Sequence, residues 1–157
     1  AASSVFENVR LAAQAHGGQP LRMFGGIAQD SNVNARAHAA IADVGLTDRT
    51  HTIAHSMSHG EQRQLEIAMA LAGAPRLILF DEPAAGLSPA ERRELVLLLT
   101  SLPSHMSFVL IEHDLEIALR VVERVTVMHN GSVIKTGTPS EIENDQQVQA
   151  IYMGGKH

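Results

Sequence analysis

The chain has 157 residues, 45% of them hydrophobic, with a formal net charge of −5 and no cysteine. That length and apolar content suit one compact domain with its own core and exclude an intrinsically disordered chain. Scattered lysines and arginines within a net negative charge exclude a basic nucleic-acid groove, and the lack of cysteine excludes disulfides and thiolate metal sites.

Residues 1–57 read as helices joined by loops, with no strand. Val5, Val9 and Ala12 or Ala13 recur at helical spacing, and a glycine-rich passage from Gly17 to Gly26 then interrupts the pattern. A second helix is expected over Asn32–Val44, with Val33, Ala37, Ala40, Ile41 and Val44 on one side and Gly45 as its stop. No basic stretch followed by an apolar core opens the chain, and no apolar run approaches the ~20 residues of a membrane span, so a soluble cytosolic chain is expected.

From Ser58 onward helices and strands alternate. Glu61–Ala72 reads as a helix with Leu65, Ala68, Met69 and Ala72 buried, closed by Gly73 and Pro75. Leu77–Asp81 is a short continuous apolar run, the pattern of a strand covered on both faces, and Ser107–Glu112 reads as a second buried strand. Between them, Pro89–Leu102 is helical with Leu95, Leu98, Leu99 and Leu102 inward. Leu115, Ala118, Leu119 and Val122 form a further helical stripe. Val125–Met128 and Ser132–Thr136 flank Asn130-Gly131, a strong hairpin signal, and Thr138-Pro139-Ser140-Glu141 opens another helix with a capping box. This order predicts an α/β fold: a mainly parallel sheet with right-handed crossovers, finished by an antiparallel hairpin.

Asp81 and Glu82 stand where an apolar strand meets its loop, the end at which open α/β sheets bind ligands. An aspartate there suits Mg²⁺, directly or through water, and the next carboxylate can orient a water for attack on a phosphate. The pair could equally do no more than solvate a strand end. Ser58 and Glu61 make an S-x-x-E capping box, which needs no ligand. The same helix N-terminus offers free N–H groups to an anion, and Gly60 leaves room for its approach. His113 follows the second strand and precedes Asp114, a candidate N-cap; it is either structural or a phosphate contact. His51, His55 and His59 fall at i, i+4 and i+8, a spacing that would suit Zn²⁺ on one continuous helix. The capping box predicts a helix starting near Ser58, which separates them.

Taken together these segments resemble the ATP-binding cassette ATPases over roughly 100 residues, a far longer match than any one short motif supplies. Met57-Ser58-His59-Gly60-Glu61-Gln62 is similar to that family's signature, usually L-S-G-G-Q, with histidine in place of its first glycine. Leu77–Asp81 with Glu82 resembles the Walker B strand and catalytic glutamate, Ala84-Ala85-Gly86-Leu87-Ser88 the D-loop, and His113 the switch histidine. Within the family the likeness is to ATPase subunits of branched-chain amino acid and urea or amide importers. It rests on Gly86-Leu87-Ser88-Pro89, Ile111-Glu112-His113-Asp114 and the run from Val148 to Gly154.

The resemblance implies a P-loop NTPase (RecA-like) domain with ATP and Mg²⁺ as cofactors. Asp81 would serve Mg²⁺, Glu82 would polarise the attacking water and His113 would contact the γ-phosphate. Ser58, Gly60 and Gln62 would complete the site of a second ATPase subunit in a head-to-tail dimer. Transmembrane permease subunits would be the other partner, and nucleic acid would not; the location would be cytoplasmic, peripheral at the inner face of the cell membrane. No G-x-x-x-x-G-K-[S/T] occurs among these residues, so the loop that cradles the phosphates is lacking. The expected layout is therefore the C-terminal two-thirds of a cassette. Residues 1–57 would be part of a helical subdomain, and 58–157 the signature helix and the C-terminal half of the nucleotide-binding domain. An exposed sheet edge and a chain inactive alone follow from that layout. The alternative is a non-enzymatic piece that only oligomerises or binds a partner.

Overall fold

Val5, Val9 and Ala13 repeat every fourth residue, and all three are fully buried along one side of helix α1 (Val5–His16). The computed structural model describes residues 3–16, 31–103 and 106–152; the Gly17–Gly26 passage and the end of the Val148–Gly154 run lie outside them. Helix α2 (Ser31–Asp43) buries Val33, Ala37, Ala40 and Ile41, and Gly45 beyond it takes the left-handed backbone expected of a stop, at φ +75°. Phe6 of α1 stacks on the His38 ring of α2 at 4.7 Å.

Helix α3 (His59–Ala72) packs against both. Its N-cap is Ser58, and the capping box is formed in full: the Ser58 hydroxyl accepts the Glu61 N–H, while the Glu61 carboxylate accepts the Ser58 N–H at 2.9 Å. Leu65, Ile67, Ala68, Leu71 and Ala72 are buried, whereas Met69 is only partly so. At the far end Arg36 of α2 donates to the Ala72 carbonyl, satisfying one of the acceptors a helix C-terminus leaves open.

Strand β1 (Leu77–Asp81), helix α4 (Pro89–Thr100) and strand β2 (Ser107–Ile111) form one crossover unit. The strands pair in parallel with Leu77 opposite Ser107 and Asp81 opposite Ile111. Ile78 and Phe80 are buried, and Phe80 meets Phe108 edge-on at 5.9 Å. The expected burial of both faces is not met. Leu77, Leu79, Val109 and Ile111 point the other way, and Leu79 is 69% exposed. The apolar runs are continuous because the strands are built for two covers, but the described helices supply only one.

Helix α5 (Leu115–Val121), the hairpin of β3 (Val125–His129) and β4 (Ser132–Gly137), and helices α6 (Pro139–Glu143) and α7 (Gln146–Tyr152) complete the described chain. Asn130 and Gly131 both have positive φ, +49° and +77°, as a two-residue I′ turn requires. Thr138 and Glu141 form the expected capping box at the start of α6. The hairpin is a two-stranded antiparallel sheet separate from the parallel β1–β2 pair, so the expected parallel sheet finished by an antiparallel hairpin is present as two sheets. An open groove of about 770 Å³ runs between β2 and β3, lined in part by Leu115, Ala118, Val121 and Val122. That groove explains why the stripe on α5 is half-buried and Ile117 is its one fully buried residue. Val127, Ile142 and Val148 make a second small core beneath the hairpin.

Candidate functional site

Two parallel neighbours that end in register bring the loops that follow them side by side. Asp81 and Ile111 are such an end pair, and the ladder continues one step further, with the Glu82 N–H donating to the Ile111 carbonyl at 2.8 Å. Glu82, one residue past that end pair, meets His113, two residues past it: Nδ1 of His113 lies 3.3 Å from Oε1 of Glu82, and both side chains are largely exposed. Asp81 is exposed beside them, and among the described residues no side chain pairs with it. An unpaired carboxylate at a strand end, next to a second one, is a donor set that fits a hard divalent cation.

The backbone at Glu82 is strained. Its φ of +44° lies in the left-handed region that a side chain with a Cβ rarely adopts, at a cost of order 1–2 kcal/mol. The surroundings hold it there. The Ala85 N–H donates back to the Glu82 carbonyl, buried Pro83 and Ala84 fix the following turn, and the Ala84 N–H donates to Glu112 Oε1 at 2.9 Å. Strain of this kind gathers where a side chain must be aimed rather than merely accommodated.

The Ser58 turn stands apart from this pair. Ser58 and Gly60 make no hydrogen bond or ion pair with Glu82 or His113 among the described residues. The Gly60 N–H donates instead to Glu91 Oε1 at 2.9 Å, at the first turn of α4. Gln62 folds back, its side-chain amide donating to the Met57 carbonyl at 3.2 Å. The Ser58 backbone N–H and the Arg49 guanidinium beside Glu61 hold that carboxyl below its usual range. The three histidines are split as the capping box predicts: His51 lies in a turn, His55 in a 3-10 turn and His59 at the start of α3. Among the described residues no group of three histidine, aspartate or glutamate side chains is placed to hold a metal.

Sequence reasoning missed two carboxylates. Glu112 anchors the loop after Glu82; its second oxygen is buried without a partner, and nothing in its local sequence distinguishes it. Glu91 was legible, since Ser88-Pro89-Ala90-Glu91 is itself a capping-box pattern, and the box is formed.

A family profile described as "ABC transporter" matches residues 2–85. The chain is 36% identical over 121 residues to the high-affinity branched-chain amino acid transport ATP-binding protein LivG of Salmonella typhimurium, a match covering 76% of this chain and 48% of that protein. It is 38% identical over 120 residues to the lipopolysaccharide export system ATP-binding protein LptB of Acidithiobacillus ferridurans, covering 76% and 50%. The crystal structure of the ADP conformation of MJ1267, an ATP-binding cassette of an ABC transporter, superposes with a TM-score of 0.77 at 26% identity, over 98% of this chain and 63% of that one. The chain thus spans about half the length of the curated relatives it matches.

Proposed function

Because the chain belongs to the ABC transporter family, we propose that it forms the signature-bearing part of an ATP-hydrolysing subunit that energises a membrane permease. The observation that carries this reading is the Glu82–His113 pair, 3.3 Å apart at the ends of parallel strands, with Glu82 aimed by a strained backbone. In this reading Glu82 orients the attacking water and takes up its proton, and His113 donates a hydrogen bond to the γ-phosphate. Asp81 holds Mg²⁺ through water, and the ion when bound neutralises charge on the phosphates. Ser58, Gly60 and Gln62 face the triphosphate of a second ATPase subunit in a head-to-tail dimer. Residues 1–57 contribute to the helical surface that meets the permease, and 58–157 to the nucleotide-binding unit.

The cargo in this reading is a branched-chain amino acid, or urea or a related amide. The similarity to LivG and to BraF of Pseudomonas aeruginosa, at 36% and 34%, supports it. Comparable identity to an export protein, 38%, means that overall similarity does not choose between cargoes, so the choice leans on Gly86-Leu87-Ser88-Pro89 and Ile111-Glu112-His113-Asp114. The proposed location is the cytoplasmic side of the cell membrane. No helix among the described residues is long and apolar enough to cross a membrane.

These 157 residues contain no G-x-x-x-x-G-K-[S/T] stretch, so by themselves they should turn over no ATP. The test joins this chain behind the N-terminal half of the LivG relative and assays phosphate release. ATP turnover that Glu82→Gln removes supports the reading. A folded chimera with no turnover, or one indifferent to Glu82→Gln, overturns it. A second reading, a non-enzymatic docking module, is favoured by the bare apolar face of β1 and β2. It predicts nucleotide-independent self-association.

A further inference from the structure

The carboxylate of Glu91 serves two elements at once. Oε2 closes the capping box of its own helix, accepting the Ser88 N–H at 2.9 Å and the Ser88 hydroxyl at 2.7 Å. Oε1 reaches across to α3 and accepts the Gly60 N–H at 2.9 Å. A capping-box glutamate needs only the first of these contacts. The second spans two helices that otherwise touch little at this end.

Gly60 has the steric signature of that contact. A Cβ at position 60 would lie 2.8 Å from both Cγ and Oε1 of Glu91, so the end of that flexible side chain would have to move away to admit one. Gly60 has no positive φ among the chain's glycines, so its backbone does not call for glycine. The missing side chain makes room for Glu91.

We propose that Glu91 is a positioning residue that locks the Ser58-His59-Gly60 turn to the loop following Glu82, and that position 60 is glycine to admit this carboxylate. The loop is then held at both ends by carboxylates from other elements: Glu112 takes the Ala84 N–H at its start, and Glu91 takes the Ser88 N–H at its finish while gripping Gly60. A displacement of the Glu82–His113 end is passed to the α3 turn through a short, hydrogen-bonded segment rather than through solvent. The functional consequence rests on the ATPase reading above, in which the Ser58 turn faces a second subunit; the link itself does not.

Glutamine separates the two duties. It retains one acceptor oxygen, enough for the Ser88 cap, and presents an N–H₂ group that cannot accept from Gly60. Alanine loses both contacts. An alanine at position 60 pushes the Glu91 carboxylate aside, so Gly60→Ala should break the link in the native background and add little in a Glu91→Ala background.

The first measurement needs no variant. The hydrogen bonds from the Ser88 hydroxyl and N–H and from the Gly60 N–H hold the Glu91 carboxyl below its usual range, with His59 on α3 a further favourable charge. The amide resonances of Gly60 and Ser88 in the 157-residue chain should therefore move together on acidification, through one shared midpoint below the ordinary glutamate range. His59→Asn removes the neighbouring imidazole and should leave that shared step in place. In Glu91→Gln the step should vanish, with Ser88 amide exchange kept and Gly60 exchange faster by roughly tenfold or more. Independent titration of the two amides, or Gly60 protection unchanged in Glu91→Gln, overturns the link. In the ATPase chimera, Glu91→Gln should lower kcat by roughly tenfold while KM for ATP stays within about twofold, the mark of lost positioning rather than lost binding. A wild-type chimera without turnover counts against the ATPase reading alone, since the amide titration still decides the link.

Discussion

Glu82 and His113, one and two residues beyond the register partners Asp81 and Ile111, leave different strands yet face each other across 3.3 Å. The parallel pairing of β1 and β2 brings the two strand ends together, and the loop after each strand sets where its side chain points. The left-handed backbone at Glu82 adds a directional constraint that an ordinary strand end lacks.

This gives a first expectation in which stability and activity move in opposite directions. Glu82→Gly relieves the strain at φ +44° and should raise the unfolding free energy by about 0.5–1 kcal/mol, after the extra chain entropy of glycine is subtracted from the left-handed cost. Glu82→Gln keeps the strain and should be nearly neutral. Both should abolish turnover in the chimera, by roughly 10²-fold or more. Ala74, at φ +49° just beyond α3, is the control: Ala74→Gly should stabilise comparably and leave activity intact. Urea midpoints beside phosphate-release rates decide the matter. A destabilising Glu82→Gly would show that the loop, not the residue, carries the strain.

Each serine cap offers a second, independent expectation. Ser58, Ser88 and Thr138 all close full capping boxes. Replacing Ser58 or Ser88 by alanine should cost about 1 kcal/mol, and by glycine only a few tenths. Thermal unfolding of the two series measures this; equal losses for alanine and glycine would mean that the hydroxyl is not the group that matters.

What the sequence revealed follows the range of the interactions involved. Capping boxes, the Asn130-Gly131 turn and the strand ends at Asp81 and Ile111 depend on residues within a few positions of one another, so their patterns survive in a linear reading. The Glu91–Gly60 bond joins residues 31 positions apart, and Glu91 reads locally as a plain cap. A glycine at a helix N-terminus, such as Gly60, carries in its local sequence no record of a carboxylate that reaches it from another helix. Likewise Leu79 and Val109 look the same in sequence whether their face is covered or bare. The number of covering layers depends on residues elsewhere, and a run of apolar residues cannot state it.

Acid should weaken this fold through its caps. Glu61, Glu91, Glu141 and Asp145 all have carboxyls held below the usual range. Backbone N–H groups lead at Glu61 and Glu141, the Ser88 hydroxyl at Glu91 and the Lys135 ammonium at Asp145. A carboxyl whose folded pKa is depressed contributes stability that is complete above its unfolded value and lost as pH falls through the folded one. Urea midpoints should hold between about pH 7 and pH 5 and fall steadily from about pH 4 downward. Lys135→Met should flatten the part of that fall due to Asp145, whose 3.0 Å ion pair it removes. A midpoint that drops between pH 7 and pH 5 would assign the loss to histidines instead.

The bare face of the β1–β2 sheet supplies the last expectation. Leu77, Leu79, Val109 and Ile111 lie together on it, between 49% and 69% exposed, while Ile78 and Phe80 on the opposite face join the core. An apolar sheet face of this kind drives association whenever a cover is lacking. The 157-residue chain should therefore self-associate in a concentration-dependent way, and Leu79→Lys or Val109→Lys should shift it toward monomer with little change in unfolding free energy, since neither side chain is buried. In the chimera with the N-terminal half of the LivG relative the same lysines should be costly, by about 2 kcal/mol or more, because there the face would be covered and the charge left without a partner. Analytical ultracentrifugation and urea titration on both proteins give the comparison. Lysine variants that are harmless in the chimera would show that the added half does not cover this face.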